Sequence, residues 1–246
     1  MSIRQTNNSA SVWFLWILFV CLVVAALLAL LPLSAAIAAT ANKRAPLVAA
    51  PARVRVALST GQGVITLQLD RARAPQTTAN FLRYVDQKRF DGISFYRAMR
   101  LAWGAQPNGL IQAGIKGDPR KALKPVPHEP TTQTGILHKA GAISMARFAP
   151  GTATGDFSIL LADMPSLDAN PSAPGDNAGY AAFGHVVEGM DVAAKIWGAP
   201  LSATAGEGAL KGQLLMSPVK IISARRVAMP IVPPPSGIID VDRKMP

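Results

Sequence analysis

Arg97 stands within the short apolar run Phe95-Tyr96-Arg97, inside a segment whose pattern predicts a strand. A cation placed there is costly unless it has a partner or a task. The guanidinium stays charged at any relevant pH and offers several directional donors, so two kinds of chemistry are open to it: pairing with a carboxylate, or stabilising electron density that develops during a reaction. The other reactive residue types point away from metal and nucleophilic chemistry. His128, His138 and His185 show no metal-ligand spacing, and no nucleophile comes with an evident base. The single cysteine, Cys21, lies in an N-terminal apolar run, leaving the rest of the chain no intrachain disulfide or Cys-based metal site. No nucleotide-binding loop is evident, and no cofactor is expected.

The elements that must position Arg97 read as a sheet. Half of the 246 residues are apolar, enough for one substantial core, and 6% aromatics with 20 Pro and 20 Gly point to many turns rather than long amphipathic helices. Val54, Val56 and Leu58 alternate with Arg53, Arg55 and Ala57; Ile65, Leu67 and Leu69 alternate with Thr66 and Gln68 across Gly61-Gln62-Gly63, a hairpin signal. Pro75 suits a first helical position, with Thr78, Phe81, Leu82 and Val85 following at helical spacing. Further strand-like runs fall at 93–97, 110–113, 142–146, 157–161, 181–186 and 219–223, with a short helix at 190–197. Eight short strands and two helices predict a mainly β protein, a closed barrel capped by the helices. Residues 171–179 and 201–217 read as loops or insertions.

Within this frame the stretch 141–168, GAISMARFAPGTATGDFSILLADMPSLD, is the best partner for Arg97. Two β-compatible runs, 141–146 and 157–161, flank a segment rich in Gly, Ala, Thr and Pro. A structured loop held by rigid strands is where function concentrates.

The ends of the chain have a different character. Residues 12–31 are uncharged and rich in Trp, Phe, Leu, Ile and Val, long enough to span a bilayer, and Ala36-Ile37-Ala38 offers a small-x-small cleavage pattern just beyond Pro32. Residues 1–38 are thus a signal peptide or a membrane anchor, which predicts export: a periplasmic protein, either soluble or tethered to the inner membrane by residues 12–31. Residues 39–52 read as a linker, 53–228 as the folded domain and 229–246, with Pro233-Pro234-Pro235, as an extended tail. Lys plus Arg exceed Asp plus Glu by 25 − 14 = +11, and the excess is confined to the first 125 residues, where sixteen basic residues face four acidic ones. A basic face attracts polyanions, but no basic motif interleaved with aromatics accompanies it, so a solubilising surface is the simpler reading and no specific nucleic-acid partner is expected.

The ordered motifs Pro75-x-Thr77-x-x-Asn80-Phe81, Phe95-Tyr96-Arg97, Leu110-Ile111-Gln112-Ala113-Gly114, Ser144-Met145-Ala146, Leu167-Asp168 and Phe183-Gly184-His185-Val186-Val187-Glu188-Gly189-Met190-Asp191 carry a family resemblance. From about residue 54 to 227 the chain resembles the cyclophilin-type peptidyl-prolyl isomerases. The resemblance implies an eight-stranded antiparallel barrel with two helices, proline-containing polypeptides as partners, a monomer, and isomerisation of X-Pro bonds without cofactor or metal. It makes Arg97 the catalytic cation and Gln112 the residue that positions the substrate backbone. Phe95, Leu110, Met145, Ala146, Arg147, Phe148, Asp156, Ser158, Leu167 and Tyr180 become the candidate substrate-binding set. From pattern alone, Gln112 is equally the polar side of a strand and Met145 ordinary core packing.

The departures from the family pattern gather in that site. Gly109 and Ser158 stand where two pocket phenylalanines are usual, Asp156 replaces Gln, Arg147-Phe148 replaces Asn-Ala, Tyr180 replaces His, and Ser166 replaces the Trp associated with cyclosporin binding. Two aromatic walls are missing unless Phe148 or a neighbour refills the space, and Asp156 is expected close to Arg97, where it would orient the guanidinium while occupying some of its donors. Ala146, Phe148, Asp156 and Ser158 are expected to face one groove with Arg97. A weak or selective isomerase follows, with a non-catalytic exported peptide-binding chaperone using the same groove as the alternative.

Overall fold

The computed structural model describes residues 51–230. The predicted N-terminal segment, the linker up to residue 50 and the Pro-rich tail beyond residue 230 lie outside the described residues. Eight strands, β1 (Arg53–Thr60), β2 (Gly63–Asp70), β3 (Ser94–Arg100), β4 (Gly109–Gly114), β5 (Ala142–Met145), β6 (Phe157–Leu160), β7 (Ala181–Glu188) and β8 (Leu214–Val227), close into a barrel. Their order around it is β1-β2-β7-β5-β6-β4-β3-β8, and every paired neighbour is antiparallel. The expected hairpin is present, Thr60 pairing with Gly63 across a two-residue turn.

Alternation along each strand decides what the barrel holds. Val54, Val56 and Leu58 of β1 and Ile65, Leu67 and Leu69 of β2 point into the core, where closure removes them from water. Helix α1 (Pro75–Asp86) caps the barrel with Phe81, whose ring lies 4.9 Å from Phe90, 5.2 Å from Phe157 and 5.4 Å from Phe183. Pro75 opens the helix as expected, but Ala74 before it has no side chain to cap the free N–H groups. Glu129, from a distant loop and almost wholly buried, accepts from the Gln76 N–H (3.1 Å), the Thr77 N–H (2.7 Å) and the Thr77 hydroxyl (2.6 Å). A carboxylate at that end also complements the helix dipole. The second expected helix, α3 (Met190–Gly198), packs Val192, Ala193 and Ile196 against the core; α2 (Thr131–Thr134) is a single turn between them.

One expected loop is partly strand. Residues 201–217 contain a 3-10 turn at Gly208–Leu210, and β8 begins at Leu214 rather than near residue 219. Pro218 hides the strand in the sequence because proline cannot donate to a ladder. It is accommodated at an irregularity, where Phe95 pairs with Val219 while Arg97 already pairs with Leu214. Among the described residues no helix is long and apolar enough to cross a membrane.

Candidate active site

The position of Arg97 follows from a β-bulge. Phe95 pairs with Ala113 and Arg97 with Gln112, so Tyr96 is an extra residue on β3 with no opposite number. The bulge breaks the in-out alternation: Phe95 and Ala98 point into the core, while Tyr96, Arg97 and Met99 line an outer cavity. Phe95 therefore does not belong to the substrate-binding set. It is fully buried with its ring 6.1 Å from Phe157, on the core side of the strand.

The cavity encloses about 540 Å³ and gathers every other predicted site residue. Arg97, Leu110, Gln112, Met145, Ala146, Arg147, Phe148, Asp156, Ser158, Leu167 and Tyr180 all line it, and Ala146, Phe148, Asp156 and Ser158 share it with Arg97 as expected. Met145 belongs both to the cavity wall and to the core. A second concavity of about 420 Å³ beside Arg53, Asp70 and Arg73 lies on the outer surface; its carboxylate is already held by Arg73 at 2.7 Å.

Arg97 is set by two amides and by no carboxylate among the described residues. Its Nε–H donates to Gln213 Oε1 (2.9 Å) and its Nη1–H to Gln112 Oε1 (2.8 Å), leaving its other donors for whatever occupies the cavity. Gln112 passes the polarity on, Nε2–H donating to the Tyr96 hydroxyl (2.7 Å), which in turn donates to Asp156 Oδ1 (3.0 Å). Asp156 also accepts from the Lys116 N–H (2.9 Å) and the Gly117 N–H (3.4 Å). The expected contact between Asp156 and Arg97 is thus replaced by a relay, with the carboxylate at one end and the cation at the other. Gly114, at φ +143°, makes room for it: a Cβ there would come within 2.4 Å of Asp156 Oδ1.

Electrostatics agree with this direction of donation. Burial and the neighbouring Asp156 carboxylate push the Tyr96 phenol far above its ordinary value, so it remains a donor. Burial pushes Asp156 up as well, against the Lys116 N–H, the Tyr96 hydroxyl and the Gly117 N–H, which favour its charged form. Burial draws Arg97 down from its usual value, yet an arginine has so much margin that it stays charged.

The two missing aromatics have different structural meanings. Gly109 does not open onto the cavity: at φ +134° it pairs with Arg100, and a Cβ would lie 2.0 Å from the Met99 carbonyl oxygen and 3.3 Å from Trp197 Nε1. Ser158 does face the cavity, and Phe148 does not refill its space, being 95% exposed at the rim. Arg147 lines the cavity with its donors already engaged by Asp176 (2.6 and 3.0 Å), by the Gly179 carbonyl and by the Phe148 carbonyl, and its guanidinium stacks 4.8 Å from the Tyr180 ring. It clasps the 171–179 loop and steadies Tyr180.

A nucleophile with a base, not evident in the sequence, is present beneath the cavity. His138 Nδ1 lies 2.7 Å from Asp168 Oδ1 and Nε2 lies 2.8 Å from Ser144 Oγ. With the carboxylate holding the proton on Nδ1, Nε2 accepts from the Ser144 hydroxyl. This is the connectivity of a hydrolytic triad, but Ser144 sits in a strand paired on both sides, to Ser158 of β6 and Ala182 of β7, so the ladders take the backbone donors an oxyanion would need. The relay orients Ser144 rather than activating it.

Tyr96, Met99, Lys116, Gly117, Ser144, Thr154, Ala209, Leu210 and Leu214 also line the cavity and were not predicted. Tyr96 was out of reach of sequence reasoning because the bulge shows only in the pairing of β3 with β4, and Gln213 because only the irregular start of β8 brings it to Arg97.

An antiparallel eight-stranded barrel capped by helices, with one uncompensated arginine in an outer groove, defines a narrow class of proteins. The model of the family described as "Cyclophilin type peptidyl-prolyl cis-trans isomerase/CLD" matches residues 55–225. The chain belongs to the cyclophilin-type peptidyl-prolyl cis-trans isomerases. It is 33% identical over 176 residues to a peptidyl-prolyl cis-trans isomerase of Acinetobacter baylyi, covering 71% of this chain and 86% of that one. It is 35% identical over 153 residues to peptidyl-prolyl cis-trans isomerase A of Dickeya dadantii, covering 61% and 75%. The fold matches the crystal structure of a cyclophilin-type isomerase of Cryptosporidium parvum with a TM-score of 0.54 at 16% identity, covering 72% of this chain and 99% of that chain. That protein has also been crystallised in the presence of the dipeptide Ala-Pro, with a TM-score of 0.52 to this chain.

Proposed function

We propose that the chain isomerises X-Pro bonds in exported polypeptides and so assists their folding, with Arg97 stabilising the twisted imide. The observation that carries this reading is the guanidinium itself, aimed into the groove and balanced by two amide oxygens, with no carboxylate among the described residues to neutralise it. An amide resists rotation by roughly 18 to 20 kcal/mol because its nitrogen donates into the carbonyl. At the top of the barrier that resonance is lost and the lone pair localises on nitrogen. A fixed donor that meets this lone pair only in the twisted state binds the transition state better than either ground state and lowers the barrier. No proton leaves the substrate and no covalent bond is made.

Gln112, fixed at both ends by Arg97 and Tyr96, positions the substrate backbone in this scheme. Leu110, Met145, Ala146, Ser158, Leu167 and Tyr180 line the space for the prolyl residue, and Phe148 offers an apolar contact at the rim. The protein acts as a monomer in the periplasm, released or held at the inner membrane by residues 12–31. Exchange rates between cis and trans prolyl peptides, measured by NMR with and without the purified full chain, test the activity. Faster exchange is the expected outcome, and unchanged exchange at micromolar enzyme rejects it.

The alternative of a non-catalytic chaperone draws on Phe148, an aromatic almost wholly in solvent at the mouth of the groove, where it would hold apolar segments whether or not they contain proline. That reading predicts suppression of client aggregation that survives Arg97→Ala and is lost in Phe148→Ser.

A further inference from the structure

Ser158 is a buried residue whose hydroxyl opens onto the cavity. It is 8% exposed, lines the cavity, and its side chain makes no hydrogen bond among the described residues. The register shows where it stands. Arg97 pairs with Gln112, Gln112 with Ser158, and Ser158 with Ser144, so these four residues form one polar row across β3, β4, β6 and β5. All four line the cavity. The next outward row is apolar, Met99 beside Leu110 beside Leu160.

The hydroxyls in this row have complementary roles. Ser144 gives its proton to His138, whose other nitrogen is held by Asp168, so Ser144 turns lone pairs toward the cavity. Ser158, bound to nothing, can donate or accept. Strands stand about 4.8 Å apart, which puts Ser158 roughly 10 Å from the backbone of Arg97, and the Arg97 guanidinium already reaches over to Gln112 on the strand between. A five-membered ring whose nitrogen meets Arg97 thus lays its far edge toward Ser158 and Ser144.

We infer, building on the isomerase reading above, that this groove selects imino residues whose ring carries a hydroxyl group over unsubstituted proline. The ring carbons pack on Leu110 and its neighbours, while the substituent donates to Ser144 and accepts from Ser158. A plain prolyl ring buries Ser158 further and leaves it unpaired, which is the unfavourable case for a polar group. The preference expected from such a difference is on the order of tenfold in kcat/KM.

The test compares peptides turned over by the full-length protein, identical except for proline, 4-hydroxyproline or 4-fluoroproline (both ring epimers of each substituted residue) at the isomerising position. Fluorine reproduces the inductive effect of oxygen on the intrinsic rate but donates no hydrogen bond. Catalysed exchange, divided by the uncatalysed rate of each peptide, is expected to favour one hydroxyprolyl epimer about tenfold over proline, with fluoroproline close to proline. In Ser158→Ala that ratio falls toward one. Equal handling of hydroxyprolyl and prolyl peptides, or a preference that persists in Ser158→Ala, overturns the inference while leaving the isomerase reading intact. If no peptide is turned over, the isomerase reading fails, and the ratio of Kd values for the same peptides decides the inference instead.

Discussion

A guanidinium that gives two donors to amide oxygens and none to a carboxylate keeps its charge for whatever enters the groove. That condition depends on residues that never touch the substrate's nitrogen. Asp156 holds the Tyr96 proton, Tyr96 therefore accepts from Gln112, and Gln112 is left to offer Arg97 an oxygen. In Asp156→Asn the amide oxygen can still accept from both the Lys116 N–H and the Tyr96 hydroxyl, which share Oδ1, but the NH₂ takes the Oδ2 position against the Gly117 N–H and the charge that anchors the phenol proton is gone. Asp156 is pushed up by burial, so the folded state binds its proton more readily than the unfolded chain; this contribution favours the fold below the unfolded value, about 3.9, and is lost as pH rises through the folded value. Replacing it should leave the melting temperature at pH 7 unchanged or higher while kcat/KM falls by roughly 3- to 10-fold, the scale of one hydrogen bond that loses its charge. A fall in both together would make Asp156 a structural residue only.

At the scale of elements, two distant carboxylates hold what local sequence does not. Glu129 supplies the cap that Ala74 cannot, and in Glu129→Ala three donors at the start of α1 lose their acceptor. Chemical denaturation should show a loss of about 2 to 4 kcal/mol, with Glu129→Gln recovering part of it. Asp168 holds His138, whose imidazole burial pushes below its ordinary value while the Asp168 carboxylate pulls the other way. The folded state therefore binds that proton less readily than the unfolded chain. Stability is complete above the unfolded value of about 6.5 and declines as pH falls from there toward the folded value. His138→Gln should flatten the slope of unfolding free energy between pH 7 and 5, and an unaltered slope would assign it to other groups.

These elements also show what could be read in advance. The β1–β2 hairpin and α1 were legible because alternation, the Gly-rich turn and Pro75 are local signals, whereas the cavity-facing set followed from the family resemblance that the ordered motifs carry. Phe95 was misplaced because the bulge at Tyr96 flips the phase of β3, and phase is invisible without the pairing partner. The family resemblance sets Asp156 beside Arg97, whereas the register gives Ser158, not Asp156, to the strand position facing Gln112. The start of β8 and Gln213 were hidden by Pro218, and Glu129 acts over more than fifty residues.

The molecule as a whole joins a barrel core closed by an aromatic cluster to a groove whose wall carries Ser158 and Asp156. The basic excess of the first 125 residues is not offset by the exposed pairs of β8, where Arg225 and Arg226 take up Asp91 (2.7 Å) and Asp86 (2.6 Å), two of the four acidic residues in that stretch. Exposed pairs of this kind add little stability each, so a surface tuned for solubility accounts for them. Export is checked on the expressed protein: N-terminal sequencing should find a start near residue 39 for a released form or near residue 1 for a tethered one, in either case in the envelope fraction. Recovery with the cytoplasmic fraction would contradict the proposed location.

The central claim is that an uncompensated Arg97 lowers the barrier to prolyl rotation. Its most direct measurement is kcat/KM for a prolyl peptide in Arg97→Ala beside Arg97→Lys, each shown by its melting curve to be folded. Removing a preorganised donor predicts a loss of about 10²-fold or more in Arg97→Ala, with only partial recovery in Arg97→Lys, whose ammonium cannot reproduce the fork held by Gln112 and Gln213. Wild-type activity in a folded Arg97→Ala variant would contradict the account.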